Sequence, residues 1–165
     1  MPNEKSSRDD LEVYLQDHYA AGIGALELIA HREKAHAQDS LGPFFSQLRA
    51  DVKSDHDRLH DLIGAFGFDV SRLRDAGAWT AEKFARIKVG LSSGDDELSL
   101  LQALETLYIG ITGKRLLWRA LLHCRDSLAR AGEIDLEHLE KRAIEQAERV
   151  ETQRLATSRQ VFRAA

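Results

Sequence analysis

From Phe44 onward the chain contains no proline, the residue that most strongly ends a helix; its two prolines are Pro2 and Pro43. Within that interval, residues 97 to 123, ELSLLQALETLYIGITGKRLLWRALLH, repeat apolar side chains at helical spacing. At about 100° per residue, Leu100, Leu101, Leu104, Tyr108, Ile111, Trp118 and Leu122 share one face, and Arg115 falls among them. A long helix with a fixed charge on its core side is the element around which the rest must be arranged. Lys114, one position earlier, is expected on the surface.

The remaining chain divides into three more helices. Apolar periodicity starts at Leu11 after the Asp9/Glu12 capping spacing, which predicts helix 1 over residues 10 to 36, with residues 1 to 9 a disordered amino terminus. Its inner face reads Leu11, Leu15, His18, Gly22, Ala25 and Ile29, and Gly22 is expected to let a helix or polar partner approach closely. Pro43 suits the first turn of helix 2, which stops at Gly67 and carries Asp55 within its apolar stripe. Asp96 and Glu97 favour the start of helix 3, Gly132 its end, and Asp135 the N-cap of helix 4. Helix 4 turns Leu136, Leu139, Ala143, Ala147, Val150 and Val161 inward, with Arg154 on that side and Glu151 near its edge.

The interval from Phe68 to Asp96 is too long for a turn. Trp79, Phe84, Ile87 and Leu91 recur in it at helical spacing after Thr80, predicting a short helix near 80 to 89. The expected fold is all-α: a single domain over residues 10 to 165, an antiparallel four-helix bundle of two helical hairpins joined by a long crossover.

By these helix and loop lengths the chain resembles the ferritin-like superfamily over residues 10 to 163. Members with a dinuclear centre place an inward Glu on two helices and Glu-x-x-His on the other two. The chain departs from that set. Glu27 points away from the inner face of helix 1, where His18 stands instead. Asp57 and His60 have the right spacing on helix 2, but Asp55 faces inward. Glu105 lies on the margin of helix 3, and helix 4 has Glu145 and Glu148 with no histidine at the motif position. No intact dimetal centre, and so no metal cofactor, is expected. His56 and His60 lie one turn apart and read as surface histidines.

A net charge of −4 argues against a general nucleic-acid binder. No apolar run is long enough to span a membrane, and MPNEKSSRDD lacks an apolar signal core, so a cytoplasmic, non-membrane protein is expected. The single Cys124 excludes an internal disulfide framework and reads as a packing residue. The run Gly110 to Lys114 lacks the glycine, hydroxyl residue and strand of a phosphate loop. Gly110 and Gly113 are instead expected at a close contact with the crossover or with a second copy of the chain.

These observations single out a polar set of His18, Asp55, Tyr108, Arg115, Glu151 and Arg154. At about 1.5 Å per residue, a turn near residues 131 to 134 brings Arg115 level with Glu151, which predicts an ion pair. The set reads either as a polar layer fixing helix register or as a site for an anionic ligand with Arg115 as its fork. The leading functional expectation is a ferritin-like bundle acting as a binding or structural module through self-association, and not an enzyme. The alternative is a carboxylate-bridged iron or manganese protein using His18, Asp55, Glu105 and Glu151.

Overall fold

The structure, a computed structural model, describes residues 4–69, 96–128 and 134–163. Among them are four long helices, α1 (Glu4–Ala35), α2 (Gly42–Ala65), α3 (Glu97–His123) and α4 (Leu136–Val161), with a 3-10 turn at Arg125–Ser127. No described residue lies in a strand. The expected helix near 80 to 89, the Gly132 stop and the orientation of the long connection lie outside the described residues.

Local chemistry accounts for the helix ends. α1 begins ahead of the expected Asp9 cap, because residues 4 to 9 hold no glycine or proline to stop it. Arg8 secures that first part by donating to the Phe66 carbonyl at 2.8 Å and lying 4.8 Å above the Phe68 ring. Pro43 occupies the first turn of α2, where a missing N–H costs nothing. At its other end Gly67 takes φ +71°, and Gly67 N–H and Phe68 N–H donate to the carbonyls of Gly64 and Ile63. That pair of bonds is a Schellman closure, which requires a residue free to enter the left-handed region.

The Asp96 side chain caps α3 by accepting from Ser99 N at 2.7 Å, and Asp135 caps α4 by accepting from His138 N at 2.9 Å. α3 ends at His123, well before Gly132, since the chain tightens into the 3-10 turn immediately afterwards.

The helices pack around two separate apolar clusters. One gathers Leu15, Leu59, Leu62, Leu117, Trp118 and Leu139 with their neighbours. The other gathers Ile29, Phe45, Val52, Leu104, Ile111 and Val150. Asp55 on α2, Lys114 on α3 and Gln146 on α4 each fall, in sequence, between a residue of one cluster and a residue of the other. The core is therefore interrupted at a single polar level, here called the waist. α3 packs most extensively on α4, and α1 on α2.

Candidate binding cleft at the waist of the bundle

Asp55 is the centre of the polar level. Its side chain is 1% exposed, and a buried carboxylate is stable only if paired and hydrogen bonded. Three donors satisfy it: Lys114 Nζ at 2.6 Å and Gln146 Nε2 at 2.8 Å on Oδ2, and Arg142 Nε at 2.8 Å on Oδ1. Gln146 also accepts from Lys114 Nζ at 2.5 Å, so the two donors brace each other. Arg142 continues to the Asp51 carbonyl at 3.2 Å, and Arg149 closes on the Asp51 carboxylate. Burial pushes the Lys114 amine below its usual range, and the adjacent Asp55 carboxylate opposes that shift.

Beside this network lies a cleft of about 300 Å³ between α1, α2 and α3. Small residues open it: Ala21, Gly22 and Ala25 on α1 face Gly110 and Gly113 on α3. A Cβ built on Gly110 or Gly113 meets no atom of the described residues within 4 Å; the crossover and a second copy, the two neighbours expected there, lie outside the described residues. Gly22 behaves oppositely and as expected, since a Cβ there would stand 2.4 Å from His56 Cδ2. The glycine lets the His56 ring stack on Tyr19, with centroids 4.0 Å apart, while its Nε2 donates to the Tyr19 carbonyl at 3.0 Å.

Most of the wall is apolar, with polar groups at His18, Asp55, His56, Thr106, Lys114 and Trp118. Trp118 is fully buried, and its indole N–H has no acceptor among the described residues. The ring of His18 packs edge-on to Tyr14 at 4.8 Å. Burial holds both His18 and His56 below the ordinary histidine range; Asp17 opposes this for His18, and the Tyr19 carbonyl and Asp57 oppose it for His56.

No family model, no curated protein and no solved structure matches the chain. The chemistry of the cleft is therefore read from its own residues.

Of the residues singled out by sequence, His18 and Asp55 line the cleft and the other four do not. Arg115 is 40% exposed and lies 3.6 Å from Glu140, which Arg119 also approaches at 3.5 Å. Glu151 is held on its own helix by two bonds from Arg154, at 2.6 and 2.8 Å, and Arg154 reaches Glu105 at 3.5 Å. The expected Arg115–Glu151 pair is thus corrected.

The cause is the early end of α3. With Glu105 facing Arg154 and Lys114 facing Gln146, Glu151 stands roughly 9 Å along the axis from the level of Arg115, at about 1.5 Å per residue. Tyr108 is partly exposed and is not part of the network. Lys114, expected on the surface, is instead mostly covered and pairs with buried Asp55, its side chain 16% exposed.

The residues of the irregular ligand set, His18, Asp55, Glu105 and Glu151, are not gathered. The three carboxylates are each paired with cations, and no group of three or more His, Cys, Asp or Glu among the described residues is placed to hold a metal. No described helix is long and apolar enough to cross a membrane. Sequence reading missed Gln146, Arg142 and Arg149.

Proposed function

We propose that the protein is a ferritin-like bundle without a dinuclear metal centre that works as a binding module, holding a small, mainly apolar molecule in the cleft between α1, α2 and α3. The observation that carries this reading is the cleft itself: a mainly apolar volume of about 300 Å³ reaching the bundle interior, with a few polar residues in its lining. Interiors normally pack to crystal density. Here two helix-interior glycines, each costing about 1 kcal/mol relative to alanine, sit where a side chain would fill the space.

The ferritin-like arrangement is supported by facing pairs. Glu33 meets Arg49 and Tyr19 meets His56, as antiparallel α1 and α2 require. Arg32 donates to the Ser99 carbonyl, pairing the end of α1 with the start of α3, and Asp51 and Asp55 meet Arg149 and Arg142. These pairs fit an up-down-down-up order, in which α2 and α3 run the same way and need a connection as long as the bundle. The interval between Phe68 and Asp96 has that reach, at up to about 3.3 Å per residue.

Decanol, a neutral apolar probe, tests the cleft. Isothermal titration is expected to show saturable one-site binding to the wild-type chain and none to Gly110→Leu, whose side chain enters the open space. Equal binding to both would overturn the reading.

A further inference from the structure

We infer that the cleft selects ligands whose polar end is an anionic hydrogen-bond acceptor, a carboxylate above all. This deepens the proposed binding function and rests on it.

The cleft wall keeps unspent hydrogen-bonding capacity in two donors, Lys114 and Trp118. Asp55, the one carboxylate of the cleft wall among the described residues, has both oxygens occupied by Lys114, Gln146 and Arg142. Lys114 has three N–H bonds and places two of them, on Asp55 and Gln146. Trp118 can only donate, and its indole N–H is sealed from solvent with no acceptor among the described residues. Thr106 has already committed its hydroxyl to the Gln102 carbonyl at 3.0 Å. His56 spends its Nε2 hydrogen on the Tyr19 carbonyl, which leaves its Nδ1 an acceptor when the ring is neutral. Both the ammonium and the indole can therefore donate further, while three of the carboxylate's roughly four acceptor sites are already taken.

Charge points the same way. Lys114 is the cation of the network that lines the cleft, whereas Arg142 and Arg149 lie with Asp51, Glu145 and Glu148 in a separate surface depression. A carboxylate in the cleft would stand against that ammonium. It would take the third proton of Lys114 and the indole N–H of Trp118, both charge-assisted bonds of the stronger kind. A protonated amine would meet Lys114 with like charge, and the acceptors left to it besides the remaining site on Asp55 are uncharged: the ring nitrogens of His18 and His56 and the Thr106 oxygen. A long apolar tail suits the remaining wall, which Ala25, Leu28, Val52, Leu59 and Ile111 supply.

The test compares three probes of one chain length, decanoate, decanol and decylamine, titrated at neutral pH into the wild-type chain and into Gly110→Leu. Decanoate is expected to bind at least about tenfold more tightly than decanol. Decylamine is expected to bind more weakly than decanol, and Gly110→Leu to bind none of them. Trp118→Phe should narrow the ratio of decanoate to decanol affinity; the probe series on the wild-type chain decides the question even if that variant does not fold. Saturable decanol binding without a preference for decanoate would overturn the head-group assignment and leave the cleft reading standing. Absence of binding by all three probes would overturn both.

Discussion

Lys114 Nζ lies 2.6 Å from Asp55 Oδ2 at the one level where the two apolar clusters of the bundle part. Removing one member of a buried pair leaves the other uncompensated, which costs far more than losing an exposed pair. Lys114→Met is expected to destabilise the chain by about 3 kcal/mol, Asp55 keeping Arg142 and Gln146. Arg115→Met is expected to cost less than about 1 kcal/mol. Urea denaturation of both variants checks the order, and a larger loss for Arg115→Met would contradict the placement of the lysine inside.

The glycines divide in the same way. Gly113→Ala places a methyl group where no described atom lies within 4 Å and removes backbone freedom from the unfolded chain, so it should stabilise by about 0.5 to 1 kcal/mol. Gly22→Ala drives its Cβ into His56 and should destabilise despite the same gain in helix propensity. Thermal denaturation of the two variants should move the midpoint in opposite directions.

Stability should also depend on pH through His18 and His56. Both are held below 6.5 in the folded chain by burial, so between 6.5 and their folded values the unfolded chain binds more protons. Their contribution is complete above 6.5, declines as pH falls through that window and is lost below the folded values. The carboxylates with lowered values, Asp39, Glu137 and Glu151, act in a separate window beginning below about 4.5. Denaturation from pH 7 to 5 should show a decline that a His18→Gln, His56→Gln double variant flattens; an undiminished decline would assign it to other groups.

Iron and manganese should be well below one equivalent in protein purified without chelators, because Asp55, Glu105 and Glu151 are each paired with cations. A near-stoichiometric metal content lost in Asp55→Ala would contradict the proposed bundle without a dinuclear centre.

How far the residues themselves disclose this arrangement differs from place to place. The ends of α2 and α4 were legible because Gly67 and Asp135 act within one helical turn. Asp55 was legible as a charge in an apolar stripe. Lys114 was not, because α3 carries two adjacent heptad lines: Tyr108, Arg115 and Leu122 beside Leu107, Lys114 and Leu121. Both lines are mainly apolar, and packing decides between them: Leu107 and Leu121 are buried while Tyr108 is partly exposed.

Gln146 has the same heptad relation to the buried Leu139, so a stripe drawn through Leu139, Ala143, Gln146 and Val150 would have found it. The cleft lay beyond local reading, since it arises where small residues of α1 face small residues of α3.

The most direct measurement is the indole N–H resonance of Trp118 in a ¹⁵N-labelled chain titrated with decanoate. A saturable downfield shift, absent from Gly110→Leu, is the predicted result, because the indole would acquire an acceptor it otherwise lacks. A resonance that does not move, or that moves equally in Gly110→Leu, would contradict a carboxylate held in the cleft.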